Sequence, residues 1–181
     1  MRIAGESVER EVPSREGAVY ITTRHVYKVF GGRTNPYNVL GIYKIAEAKG
    51  VPVPNTAKFT AQLQDGTHTR TIGGLRSTRV SGRFFQLSKP GGERILINEI
   101  RKITNRKLLE TVIEGLRNAS RHGVVDPQGF IDVNRNPPLT FIDLHSRGTP
   151  NTASFEEVLE AAETQLNELA GTPSRSRTPG R

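Results

Sequence analysis

The spacing of apolar residues in the first half of the chain predicts strands that come in pairs. Ala18 to Phe30, AVYITTRHVYKVF, is rich in β-branched and aromatic residues and has a turn near Thr22 to Arg24. Residues 57–63 and 69–82 predict a second hairpin, because Asp65-Gly66 between them is a frequent hairpin turn.

One helix is predicted between the two hairpins. In PYNVLGIYKIAEAK the apolar residues recur at i, i+3, i+4 and i+7, which gives the helix one buried face. Asn35 is a suitable cap, Pro36 suits a first turn, and Gly50 ends the pattern. Residues 1–16, by contrast, are charged and contain Pro13, so we expect a loosely attached arm or an edge strand there.

The second half of the chain is predicted to be helical apart from one hairpin. Residues 93–123 have a helical pattern that divides near Asn105, a good cap residue. Two short apolar strands then lie between Asp126 and Asp143. Ser154 is predicted to cap a last helix, FEEVLEAAETQLNELAG.

Composition narrows the classes of function. The chain has 181 residues and no cysteine, which excludes disulfides and thiolate metal sites. Apolar runs fall short of the ~18 residues that cross a bilayer, and the N-terminus is too charged for a signal peptide. If the protein leaves its cell, we expect a route without a cleaved leader. The net charge of +8 suits binding to a polyanionic partner. The sequence lacks a stripe of alternating basic and aromatic residues, so general nucleic-acid binding is not favoured.

The order of the predicted elements resembles the layout of a kinase. Phosphoryl transfer needs a cation on the phosphates, carboxylates for Mg²⁺, a proton acceptor and a backbone cradle. Lys28, in HVYKVF, lies where the kinase V-A-I-K strand carries its phosphate-binding lysine. Gly17 resembles the end of a glycine-rich loop. Each also has an ordinary explanation, as a lysine on an alternating strand and as a single turn glycine.

Three of the four aspartates lie in and around the predicted hairpin. Asp126 directly follows an amphipathic helix and would accept the proton of the substrate hydroxyl. Asp143 closes an apolar run, where a carboxylate is costly unless a cation meets it. Because a hairpin returns its ends to one place, both carboxylates are expected at one Mg²⁺–ATP site, with Gln128 as a further metal ligand. Asp132 is interpreted as a surface residue.

Departures from the usual kinase motifs point to a particular group. Ile131 replaces the catalytic-loop asparagine, and Leu144-His145 replaces the Phe-Gly that follows the metal-binding aspartate. The motif Asp126-x-Gln128, followed by an apolar strand, a polar turn and an apolar closure at Asp143, resembles the minimal atypical kinases of bacterial effectors and polymorphic toxins. That group includes a plant-pathogen effector that phosphorylates the eukaryotic heat-shock chaperone.

The resemblance covers roughly residues 17–166 and implies a function. It implies an ATP- and Mg²⁺-dependent protein serine/threonine kinase, secreted without a leader and acting as an effector or toxin in the host or target-cell cytoplasm. Its substrate would be a host protein, with a heat-shock chaperone as one candidate. Lys28 would hold the α/β-phosphates, Gly17 would belong to the phosphate cradle, and Asp126 would be catalytic. Asp143 and Gln128 would bind Mg²⁺.

The predicted fold is therefore α+β and kinase-like with two lobes. A small antiparallel-sheet N-lobe with one helix would span about residues 1–82, and a reduced helical C-lobe with the catalytic hairpin would span 83–170. Together they form a single domain, followed by a disordered basic tail over 171–181. We expect a monomer with no membrane partner.

The partner of Lys28 and the class of function stay open. Glu47 is the only carboxylate on the predicted helix and lies one turn late, so Asn38 or Asp143 alone could take its role; a lysine without a partner would suggest a pseudokinase. A basic module that binds nucleic acid or an acidic partner is one alternative. An ADP-ribosyltransferase-type toxin is another, since Arg76-Ser77-Thr78 and Glu156-Glu157 loosely resemble its motifs.

Overall fold

The main element of the computed structural model is a closed barrel of six antiparallel strands. The structure describes residues 1–14, 16–32, 34–144 and 152–171; His145 and residues 172–181 of the predicted tail lie outside them. The barrel strands are β1 (Arg2–Ile3), β2 (Glu6–Ser14), β3 (Gly17–Thr22), β4 (His25–Phe30), β5 (Thr56–Asp65) and β6 (His68–Thr78). Their order around the barrel is β1-β2-β3-β4-β6-β5, and β1 closes it by pairing with β5.

Closure of the barrel makes the predicted two-lobed, kinase-like fold wrong. Residues 2–14, expected as an arm or an edge strand, supply two barrel strands, and Ile3 is fully buried. Ile3 packs in a small core with Tyr20, Tyr27 and Leu63. The sequence did not indicate this role, because every side chain of β2 is exposed or only partly buried and the composition of the strand is mostly polar. The molecule is a barrel with a smaller sheet and helices, not a small open-sheet lobe on a helical lobe.

The smaller sheet contains the hairpin that the sequence predicted between Asp126 and Asp143. Its strands are β7 (Arg83–Gln86), β8 (Gln128–Ile131) and β9 (Leu139–Ile142), in that order and antiparallel. The prediction of the β8–β9 hairpin is confirmed. The third strand, β7, which pairs Gln86 with Gln128, was not predicted from the sequence.

Four helices are found in the described residues, and they agree with the predicted positions to within a few residues. They are α1 (Pro36–Ala48), α2 (Gly92–Ile100), α3 (Arg106–Arg121) and α4 (Thr152–Gly171). The predicted caps of α1 and α3 are confirmed, since the side chains of Asn35 and Asn105 accept backbone N–H groups of the first turns. The cap predicted at Ser154 is wrong. The last helix starts at Thr152, and the Ser154 hydroxyl donates to Glu93 Oε1 at 2.8 Å.

The large hydrophobic core lies among the helices and the small sheet, separate from the barrel core. Its fully buried members include Leu96, Leu109, Leu116, Phe141 and Phe155. Within the described ranges, none of the helices has the length and apolar character needed to span a bilayer.

Candidate functional site

A cleft of about 660 Å³ lies between the outer face of the barrel and the small sheet. Alternate residues of β2, β3 and β4 line it, whereas the intervening Tyr20 and Tyr27 fill the barrel. Much of the lining is apolar, namely Val12, Val19, Ile21 and Val26 on the barrel side and Phe130 and Ile142 on the sheet side. The volume lies within the range of about 300–1,000 Å³ typical of small-molecule sites.

Lys28 projects into this cleft from β4 and bridges two carboxylates. Its Nζ lies 2.7 Å from Glu16 Oε2 and 2.9 Å from Asp143 Oδ1. Burial by itself would lower the pKa of Lys28, but the hydrogen bonds to Glu16 and Asp143 outweigh it and raise that pKa above its ordinary value. Lys28 is therefore a fully charged ammonium group held between strand and sheet. Glu47, weighed as its partner, instead pairs with Lys44 at 2.7 Å.

Asp143 is held from three sides at the end of β9. Besides Lys28, the Gln128 amide donates to its Oδ2 at 3.3 Å, and its own backbone N–H donates to the Tyr43 hydroxyl at 2.9 Å. Burial raises the pKa of Tyr43, so its hydroxyl stays protonated at neutral pH. Lys28, Gln128 and Asp143 are thus brought together, and Tyr43 of α1 supports them.

Asp126 lies at the same end of the small sheet, just before β8. Gln86 Nε2 donates to both of its carboxylate oxygens, at 3.1 and 3.2 Å, and the Ser88 hydroxyl donates to Oδ1. Gln86 and Gln128 are directly opposite each other on β7 and β8. One glutamine therefore orients Asp126, and its cross-strand neighbour orients Asp143.

Both aspartates have backbones in the left-handed region, with φ of 47° at Asp126 and 52° at Asp143. This region costs an ordinary residue about 1–2 kcal/mol, although aspartate and asparagine tolerate it better than most. Such conformations cluster at functional sites, where the surrounding structure holds them. Two aspartates in this conformation at one end of one sheet indicate that the surrounding structure holds both backbones in place.

Gly17 has a steric role that the sequence did not reveal. It begins β3 with φ of +146°, and a Cβ at this position would overlap the carbonyl oxygen of Val29 on β4. Glu16, just before it, accepts the Gly31 N–H at 2.6 Å with its backbone oxygen and extends its side chain to Lys28. The need for close strand approach explains Gly17, and the tip of this turn brings a carboxylate to the cleft.

Two side chains of the candidate site, Glu16 and Tyr43, were not predicted from the sequence. Glu16 had a weak signal, an acidic residue in the tight turn before Gly17. Tyr43 belongs to the apolar face of α1, and the need of a buried phenol for a hydrogen-bond partner was the available hint.

A divalent cation would need ligands beyond the protein here. Across the described ranges, no group of three or more His, Cys, Asp or Glu side chains is arranged to hold a metal ion. Mg²⁺ usually binds through one or two carboxylates together with water and substrate phosphates. Asp143 and the amide oxygen of Gln128 are suitable donors for Mg²⁺ that arrives with a nucleotide.

The residues that loosely resembled ADP-ribosyltransferase motifs lie apart from one another or make structural contacts. The Ser77 hydroxyl hydrogen-bonds the Thr56 hydroxyl at 2.9 Å across β5 and β6. Glu156 and Glu157 are exposed on α4. Asp132, interpreted as a surface residue, is partly buried and accepts from Ser81 at 3.1 Å.

Comparison with known proteins does not assign a family. No protein-family model matches the chain, and no curated protein matches it.

Proposed function

We propose that the chain transfers the γ-phosphoryl group of Mg²⁺–ATP to a serine or threonine hydroxyl of a protein. The observation that carries the proposal is the clustering of Lys28, Gln128 and Asp143 in one cleft, with Asp126 held at the same sheet edge. A cation, two carboxylates and a shaped cavity are the parts that phosphoryl transfer requires.

The cleft offers two different environments to a nucleotide. The apolar walls formed by Val19, Val26 and Ile142 suit a flat base, and the charged end at Lys28 suits phosphates. Lys28 can contact phosphate oxygens as a permanent cation, because Glu16 remains as a partner if Asp143 turns to the metal.

Asp143 and Gln128 would hold Mg²⁺, which supplies charge neutralisation on the phosphates when bound. Asp126 would orient the acceptor hydroxyl and take its proton. Its fixed backbone and the Gln86 amide keep the carboxylate in one direction. Preorganisation of this kind lowers the cost of reaching the reactive geometry.

The resemblance to minimal kinases of bacterial effectors and toxins extends this proposal to a biological setting. The acceptor would then be a host protein, with a heat-shock chaperone as one candidate, and the protein would act after secretion into a host or target cell. This setting rests on the motif Asp126-x-Gln128 and the closure at Asp143.

Titration calorimetry of Mg²⁺–ATP against the wild type, Lys28→Ala and Asp143→Ala tests the proposal. Loss of a hydrogen bond to a charged group costs about 1.5–3 kcal/mol, so each variant should bind about 10- to 100-fold more weakly. Lys44→Ala is the matched control, since Lys44 is an exposed lysine paired with Glu47 outside the cleft.

Magnesium-dependent binding that both cleft variants weaken and Lys44→Ala leaves unchanged would support the nucleotide site. A wild-type protein that binds no Mg²⁺–ATP, or whose binding is indifferent to Lys28 and Asp143, would contradict it. Binding without transfer to any protein would leave a pseudokinase.

A further inference from the structure

The proposed catalytic carboxylate already holds a serine hydroxyl of its own chain. Ser88 follows β7 in an exposed turn, and its Oγ donates to Asp126 Oδ1. The turn is anchored on its N-terminal side, because Leu87 is buried and its backbone N–H donates to the Pro127 oxygen at 2.8 Å. Ser88 is thereby kept beside Asp126 by two separate contacts.

This contact pairs the same two groups as an acceptor hydroxyl and its base. In phosphoryl transfer to a hydroxyl, the catalytic aspartate accepts a hydrogen bond from the nucleophile and then its proton. Gln86 fixes the carboxylate from the other side by donating to both oxygens. The Ser88 hydroxyl therefore makes the contact with Asp126 that a substrate serine would need to make.

We propose that Ser88 is a phosphorylation site of this chain, modified in cis. This inference rests on the proposed function. The Ser88 oxygen forms a bond to the γ-phosphorus of ATP, the bond from that phosphorus to the β–γ bridging oxygen breaks, and ADP leaves. The Ser88 proton passes to the Asp126 carboxylate.

The modification would change the site that produced it. A phosphoserine carries about −1.5 to −2 charge at neutral pH, and a neighbouring carboxylate repels it. The turn after Leu87 would move away from Asp126, which would free the position for the hydroxyl of a protein substrate.

Mass spectrometry of the full chain tests the inference directly. The protein is treated with a phosphatase, the phosphatase is removed, and Mg²⁺–ATP is added; intact mass and peptide mapping then count and locate the phosphoryl groups. We expect one phosphoryl group on Ser88, at a rate per molecule that does not change on dilution. Ser88→Ala should lose it, and Asp126→Asn should slow it by about 100-fold or more.

The control is Ser7→Ala, an exposed serine on β2 that should leave modification of Ser88 unchanged. Transfer to an added protein such as casein, measured in parallel, separates the two proposals. Transfer to casein with Ser88 unmodified would overturn the inference and leave the proposed function standing. Modification of Ser88 that survives Asp126→Asn would overturn the inference together with the role proposed for Asp126. Absence of both nucleotide binding and transfer would overturn both, and a rate that rises with protein concentration would overturn modification in cis.

Discussion

At the residue scale, the central feature is one lysine shared by two carboxylates from distant parts of the chain. Glu16 comes from the turn between β2 and β3, and Asp143 comes from the end of β9. Lys28 is largely buried between them, so their charges act on it with less solvent screening than at an exposed site. Its pKa is therefore a sensitive report on whether both contacts are made in solution.

Glu16→Gln should lower the pKa of Lys28, because the substitution removes one of the two anions that raise it against the effect of burial. The titration can be followed by NMR of the lysine side-chain signals. Glu47→Gln removes the partner of Lys44 and should leave the Lys28 titration unchanged. A Lys28 midpoint that does not move with Glu16→Gln would mean that the contact is not made in solution.

At the element scale, a cluster of hydrogen-bonded polar side chains joins β2, β3 and β4 at one corner of the barrel. Glu6 accepts from Thr22 at 2.5 Å and from Tyr27 at 3.0 Å, and it lies 2.6 Å from His25 Nδ1. Burial alone would raise the pKa of Glu6, but these hydrogen bonds lower it to about 2. The same corner holds the cleft-lining Arg79, whose side chain donates to the Thr22 oxygen at 2.7 Å.

This cluster predicts acid sensitivity. The folded pKa of Glu6 lies below its ordinary value of 4.5, so its contribution is complete above pH 4.5 and is lost as the pH falls toward 2. The contribution is on the order of 2–3 kcal/mol for the partly screened Glu6 carboxylate. Urea unfolding at several pH values should show that the free energy of unfolding falls less with decreasing pH in Glu6→Gln than in the wild type.

Glu110→Gln is the control for that measurement, because Glu110 forms an exposed pair with Arg106 on α3. Equal pH dependence in the wild type and Glu6→Gln would show that the corner does not depend on the ionised glutamate.

Some of the helices and strands could be predicted from the sequence, and others could not. Helices α1 and α3 were predictable because a cap and an apolar period agree, and the β8–β9 hairpin because two aspartates bracket short apolar runs. Closure by β1 was not predictable, since it depends on a pairing between Ile3 and Leu63 that lie sixty residues apart in sequence. The same holds for the candidate site. Lys28 and Asp143 could be predicted because they lie in recognisable motifs, whereas predicting Glu16 required knowing where the turn between β2 and β3 lies in space.

At the scale of the whole molecule, stability is unevenly divided between two cores. Among the described residues, the barrel core has four fully enclosed members, Ile3, Tyr20, Tyr27 and Leu63, with partly buried residues packed against them, and the helical core is far larger. A cluster this small gives the barrel less hydrophobic stabilisation, and local opening begins where buried apolar contacts are few. The lysine side of the cleft therefore belongs to the weaker half, and both aspartates belong to the stronger half.

Ile3→Ala should destabilise the protein by about 2–4 kcal/mol, because it leaves a cavity in a core with few other members. Hydrogen exchange followed by mass spectrometry should show the loss of protection in β1, β2 and β5 rather than in α2 and α3. Arg2→Ala changes the exposed neighbour and should stay within about 0.5 kcal/mol. Protection lost equally in the helices would indicate that the two cores unfold as one.

The cross-strand pair Gln86 and Gln128 lets the small sheet set the distance between the two aspartates. Neighbouring antiparallel strands hold paired Cα atoms about 4.5–5.5 Å apart. Each glutamine of the pair donates a hydrogen bond to one aspartate. The offset between the two carboxylates is thus inherited from a ladder of backbone hydrogen bonds. Helices α2 and α3 lie between Gln86 and Gln128 in the chain, yet the separation of the two glutamines is set by strand pairing and not by the length of that stretch.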